Sequence, residues 1–190
     1  MKQKNVTLCA VLIAVCCLSL LLFPACKKSS GSDNSGSSAY YLSATVNGKS
    51  WNANYNTNTG DVFAVAEITS SGSVSVVLAL GIQLANKDTS AIALVFPKNI
   101  TLGKAYDFEN DLYTAGAYAD NSAGYNTSPA NHGSGTITVT NFDQTGNIVE
   151  GIFSGSFGTT NGSSVIQITN GKFRCLLTTA TQQLPPNVKF

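Results

Sequence analysis

The sequence predicts an all-β domain, an antiparallel β-sandwich or barrel-like fold of about nine strands, after an export leader and a Gly/Ser tether. Three observations carry the prediction. Short runs rich in β-branched and aromatic residues recur about every ten residues. Turn residues separate the runs, and Asn-Gly stands at two hairpin positions, Asn47-Gly48 and Asn161-Gly162. No stretch repeats its apolar residues with a helical period. The chain of 190 residues has room for one domain, and its 43% hydrophobic and 11% charged residues exclude a solvated disordered polymer and a basic nucleic-acid binder.

The chain begins with Lys2 and Lys4, followed by an almost wholly apolar run over residues 6–23 and then Phe23-Pro24-Ala25-Cys26. A positive end, an apolar core and a small residue make a secretory signal. A run of this length also has the reach of a bilayer span, which is the competing reading. A small residue directly before Cys26 resembles the lipobox of bacterial lipoproteins. That resemblance implies removal of residues 1–25 and acylation of Cys26, with a diacylglycerol on the thiol and a further chain, such as palmitate, on the new amine. One acyl chain binds a membrane only marginally, at about 0.8 kcal/mol per buried CH₂, whereas two or three hold it firmly. Residues 26–39 then form the lipidated Cys and a tether, whose KKSSGSDNSGSSA composition has an r.m.s. span of roughly 20 Å. Cys9, Cys16 and Cys17 depart with the leader and Cys26 is alkylated, so Cys175 is left with no disulfide partner and reads as a small buried hydrophobe. Loss of Lys2 and Lys4 leaves 9 basic against 10 acidic side chains, a net charge of about −1 that gives nucleic acid no reason to bind.

The folded domain is expected over residues 40–177, with a frayed tail over 178–190. Residues 42–46 and 49–53 form a hairpin about Asn47-Gly48, because both turn residues accept positive φ. Residues 61–70 are a strand, Ser71-Gly72 a turn, and residues 73–84 a long strand in which Gly81 suggests a bulge. AIALVF over residues 91–96 is continuously apolar, which predicts a strand that is central or buried on both faces, and Pro97 ends it. Brief strands are expected near Tyr106 and over 112–118, a long polar loop over 120–134, and strands over 135–142, 147–159 and 164–177. Trp51, Phe63, Phe96, Phe108, Phe142, Phe153, Phe157 and Phe173 are the expected core.

Residues able to do chemistry are few. No Gly-x-Ser-x-Gly occurs, and the single His, His132, makes a His-pair zinc site impossible. A dyad of Cys175 and His132 has only the presence of both types behind it. Asp107, Glu109 and Asp111 alternate near Asn110 and Asp120, which supplies oxygens of the kind Ca²⁺ takes. The spacing departs from the EF-hand pattern, and a solvated strand end is the plainer reading. No pair of acids recommends itself for glycoside hydrolysis. Tyr106, Tyr113, Tyr118 and Tyr125 fall close together among Asn and Asp, a composition suited to stacking on sugars or gripping peptides. Half-buried strand positions account for them as well.

Four stretches together resemble a family of uncharacterised lipoproteins common in Bacteroidetes-type bacteria. They are LSATVNGKSWNA over 42–53, GKAY over 103–106, EGIFSGSF over 150–157 and ITNGKF over 168–173. The resemblance implies an all-β fold and transfers no catalytic residue; the shared positions read as turn glycines and core aromatics. It also implies an outer-membrane location. Surface-exported lipoproteins of such bacteria often carry acids just after the lipidated Cys, and Lys27-Lys28-Ser29-Ser30 departs from that, which favours the periplasmic face. The functional expectation is therefore a lipid-anchored envelope protein, held to the membrane through acylated Cys26, that binds a glycan or an envelope protein and is not an enzyme. The alternatives are a glycan- or peptide-binding surface lipoprotein and a hydrolase built on carboxylates.

Overall fold

The computed structural model describes residues 40–54, 64–71, 74–85 and 88–179. The leader, Cys26, the tether, Phe63, the Ser71-Gly72 turn and Pro185-Pro186 lie wholly or partly outside the described residues. Eleven strands are described: β1 Tyr41–Val46, β2 Lys49–Asn54, β3 Ala64–Ser71, β4 Val74–Ala85, β5 Asp88–Pro97, β6 Ala105–Asp107, β7 Ala115–Ala119, β8 Gly124–Asn126, β9 Ser134–Asp143, β10 Ile148–Thr159 and β11 Val165–Thr179. One 3-10 turn, Pro129–Asn131, is the only helical element among them. The all-β expectation is met, with eleven strands in place of about nine. β8, three residues long, lies inside the stretch read as a polar loop, and β11 runs to Thr179, past residue 177.

Hydrogen bonding joins the strands in the order β2-β1-β11-β3-β4-β5-β7-β8-β10-β9-β6, and β10 also pairs with β11. That last pairing closes β11, β3, β4, β5, β7, β8 and β10 into a ring, so the domain is barrel-like. The β1–β2 hairpin branches from β11, and β9–β6 branches from β10. Two long strands make the corners by changing partner along one edge, as strands do where sheets meet. β11 pairs with β1 over residues 168–174 and then with β3 over 176–179. β10 pairs with β9 over residues 148–156 and then with β8 at Gly158 and Thr159. Every pairing is antiparallel except β11–β3, so the sheet is mixed and not purely antiparallel as expected.

Local chemistry explains the elements. Asn47 and Gly48 have φ of 46° and 78°, the pair of left-handed conformations that a two-residue hairpin turn requires. β5 is central, between β4 and β7, yet its side chains alternate: Ile92, Leu94 and Phe96 are buried, while Ala93 and Val95 are only half-buried. The apolar run thus marks a central strand with one fully buried face. Gly81 is not a bulge, since β4 pairs without interruption to both neighbours there. It is a close approach: a Cβ at this position would lie 2.9 Å from Leu42 Cβ and 3.2 Å from Ala53 Cβ. The β1–β2 hairpin therefore packs face-on against β4.

The interior is aromatic and aliphatic. Trp51, Phe96, Phe108, Phe153, Phe157 and Phe173 are buried as expected, and Phe142 is half-buried against the same cluster. Phe96 of β5 meets Phe173 of β11 across the interior at 6.2 Å, and Phe108 meets Phe157 edge-on at 6.3 Å. Gly151 pairs with Phe173, and Phe153 pairs with Gly171, so each ring covers the glycine opposite. These two glycines of the motif stretches are therefore strand residues that make room for aromatic rings, not turn residues.

Candidate functional site

The fold distributes the sequence-predicted residues differently from their spacing. Tyr118 of β7 and Tyr125 of β8 are direct cross-strand partners with ring centroids 5.9 Å apart. Tyr106 belongs to β6, which pairs with β9. There its phenol oxygen accepts from the Thr101 N–H at 2.9 Å, and Lys104 Nζ lies 4.6 Å from the ring centroid. Hydrogen bonding from Thr101, side chain and backbone, holds this phenol below its ordinary pKa. Tyr113 sits in the β6–β7 connection at φ 62° and is exposed. Among the described residues no ring contact joins Tyr106 or Tyr113 to the Tyr118–Tyr125 pair. Tyr106 and Tyr125 pack on the core and Tyr118 is buried within it, so the quartet does not form one binding surface.

Tyr118 ends a polar chain through the interior edge. Trp51 Nε1–H donates to Ser90 Oγ at 2.8 Å. Tyr118 is hydrogen-bonded to Ser90 and to Asp120. Burial, then the Asp120 charge, pushes the Tyr118 phenol above its ordinary pKa. At Asp120 burial pushes upward, but hydrogen bonds from the Ser122 hydroxyl, the Ser122 and Ala123 N–H groups and Tyr118 prevail and lower the pKa. The chain ties β2, β5 and β7 together.

The acid cluster is occupied with its own turn. Asp107 Oδ1 accepts from the N–H groups of Glu109 at 2.7 Å and Asn110 at 3.3 Å, and Asp111 Oδ2 accepts from the Asp107 N–H at 2.6 Å. Among the described residues no three His, Cys, Asp or Glu side chains converge on a common point that suits a metal. The carboxylates that suggested Ca²⁺ are used by Asp107 and Asp111 to cap backbone. Cys175 is fully buried and its thiol pushed far up by desolvation, while His132 is an exposed loop residue, so they form no dyad.

The site that the sequence did not single out lies on the outer face of β9, β10 and β11. There a shallow depression of about 270 Å³ is lined by Thr136, Thr138, Ile152, Phe153, Ser154 and Asn170, with Gly171 and Lys172. The register builds it. Lys172, Ile152 and Thr138 stand side by side across the three strands, and Ser154 stands beside Thr136. Beside Ser154 the β10–β11 register shifts at a bulge in which Asn170 takes φ 53°. A bulge redirects a side chain and interrupts the ladder. The one sequence signal was Asn170-Gly171, a turn-type dipeptide inside a strand pattern.

The polar groups of the depression are uncommitted. Among the described residues the side chains of Thr136, Thr138, Ser154, Asn170 and Lys172 have no hydrogen-bond or ion-pair partner. Their neighbours on the same face are engaged. Ser156 and Gln167 bond each other at 2.9 Å. Glu150 is held by Arg174 and by Asn141 Nδ2. Ile152 stays 50% exposed at the centre. Neither family models, nor curated proteins, nor solved structures match this chain.

Proposed function

We propose that this protein is a non-enzymatic binding module, anchored by acylated Cys26 to the outer membrane at its periplasmic face, that meets an envelope partner with the outer face of β9, β10 and β11. The leader, the small residue before Cys26 and the Gly/Ser tether support the anchor. One observation carries the binding reading: free hydroxyls, an amide and an ammonium surround an exposed Ile152 in a depression whose lining contains no carboxylate, imidazole or thiol. Such a surface offers hydrogen bonds and an apolar contact of the kind that orients a ligand.

A photo-crosslinking residue placed at Ile152 in living cells tests the face, with Glu67, an exposed residue of β3, as the control position. A discrete adduct at 152 and none at 67 is expected. Equal labelling, or none at 152, refutes the assignment. Metabolic labelling with a fatty acid, abolished by Cys26→Ala, tests the anchor. Protease treatment of intact and permeabilised cells tests the side of the membrane, and cleavage only after permeabilisation is expected.

A further inference from the structure

We infer that the depression over β9, β10 and β11 takes one carboxylate-bearing sugar residue of a glycan chain, an inference that rests on the binding reading above and names its ligand class. Charge comes first. Lys172 has no acidic partner among the described residues, whereas Arg174, one row along the sheet, is matched by Glu150. Asn141 holds Glu150 as well, so that carboxylate is not available to Lys172. Asp107, beside Thr136 on β6, has its Oδ1 turned onto the Glu109 and Asn110 N–H groups. The lining of the depression therefore carries one charge, the Lys172 ammonium, and no carboxylate. One ammonium suits one carboxylate; a phosphate is ordinarily gripped by several N–H groups or a bidentate Arg.

The remaining groups match the rest of an acidic sugar. Thr136, Thr138 and Ser154 each give and accept a hydrogen bond, and Asn170 adds an amide that does both. Sugar hydroxyls need partners of this two-way kind. Ile152 stands between Lys172 and Thr138 in the same row, so an apolar C–H face resting on it places a carboxylate toward one side and hydroxyls toward the other. The bulge at Asn170, which interrupts the β10–β11 ladder beside Ser154, opens the hollow. Its shallowness suits an internal residue of a polymer passing over the sheet. Two-way hydroxyls, one cation and one aliphatic platform together favour a glycan over a peptide, whose apolar side chains would find only Ile152.

The test titrates the full lipidated protein in detergent micelles with short galacturonate oligomers, with the same oligomers methyl-esterified, and with free galacturonic acid. The acid oligomer is expected to bind, at least about tenfold more tightly than the ester, and Lys172→Met is expected to remove that difference. Rising salt weakens the acid oligomer and not the ester. Ile152→Arg abolishes both, and Trp51 fluorescence verifies that these exposed substitutions leave the fold intact. Free acid binding as tightly as the oligomer assigns the site to the single sugar and upholds the carboxylate class. Equal binding of acid and ester overturns that class, and binding indifferent to Lys172→Met and Ile152→Arg overturns the site. No binding of any probe, with the crosslink at 152 still formed, overturns this inference and leaves the binding reading standing; loss of the crosslink is the failure of that reading.

Discussion

Replacing Gly81 by Ala tests how the β1–β2 hairpin covers the barrel. Gly81 has ordinary extended backbone and an unbroken register, so alanine meets no conformational penalty there. Alanine even gains about 0.5–1 kcal/mol, because glycine surrenders more freedom on folding. Against this, the added Cβ would stand 2.9 Å from Leu42 Cβ, 3.1 Å from Trp51 Cη2 and 3.2 Å from Ala53 Cβ. Two of these atoms are fixed to backbone, so relief needs the hairpin to move outward as a body. Overpacking of this kind costs about 1–3 kcal/mol. At the centres of these two ranges the net is a destabilisation of about 1 kcal/mol, and at about 2–4 °C per kcal/mol the midpoint falls by a few degrees. Denaturation followed by fluorescence of Trp51, the single tryptophan and 3% exposed, reads it at the site itself. Ala53→Gly in the same molecule removes one of the contacts, so the two substitutions together cost less than the sum of their separate losses. A neutral or stabilising Gly81→Ala, or losses that simply add, refutes the packing of the hairpin on β4.

Four other outcomes follow from named residues. Ser90→Ala deprives Trp51 Nε1–H and the Tyr118 phenol of a shared partner; the loss is about 1–3 kcal/mol in chemical denaturation, and more than that of an exposed Ser→Ala such as Ser134→Ala. Asp120 has a folded pKa below its ordinary 3.8, so its stabilisation is present above that value and is lost as pH falls through the folded value; the gap in stability between wild type and Asp120→Asn should close on acidification below about pH 4. Tyr118 has the opposite sign, with a raised pKa whose stabilisation is full below pH 10 and lost above it. Cys175 is fully buried, so thiol reagents should label it only in denaturant, and labelling of the native protein at the rate of a free thiol would refute its burial.

Much of the fold was legible because it is local. Asn47-Gly48 needs positive φ at both residues, and few sequences other than Asn-Gly supply it, so the hairpin could be placed to within a residue. Aromatic positions on alternating strands identified the core for the same reason. What escaped was non-local. β8 is three residues long and exists because Gly124 to Asn126 finds partners on β7 and β10; nothing in a Gly-Tyr-Asn triplet announces that. The parallel contact of β11 with β3 joins residues more than a hundred positions apart and follows from how the ring closes. Gly81 was ambiguous in principle, since a glycine within a strand signals either a bulge or a close approach, and only the packed hairpin decides between them.

The candidate site shows the same division more sharply. Four tyrosines within twenty residues of sequence looked like a surface, but β6 leaves for the β9 edge while β7 joins β5, and the chain between them separates Tyr106 from Tyr118. Tyrosine also buries easily, with its hydroxyl satisfied by Ser90 or Thr101, so proximity in sequence became two structural anchoring points. Asp107 and Asp111 lie so close to their own backbone that the turn engages their carboxylates, while Glu109 lends it only an N–H. The depression, in contrast, is assembled from residues on three strands, each a Ser, Thr, Asn, Lys or Ile of the sort that any outer face carries. Their distinction is that the register sets them side by side while a bulge opens the space between them. Other polar side chains on the same face, Ser156 with Gln167 and Glu150 with Arg174 and Asn141, meet their partners directly across the strands. Where the ladder is interrupted at Asn170 that pairing stops, and the groups left over face outward together. An unpaired set of donors and acceptors costs a solvent-exposed surface little, because water satisfies it, and so it is available to a ligand that offers the same bonds in a fixed arrangement.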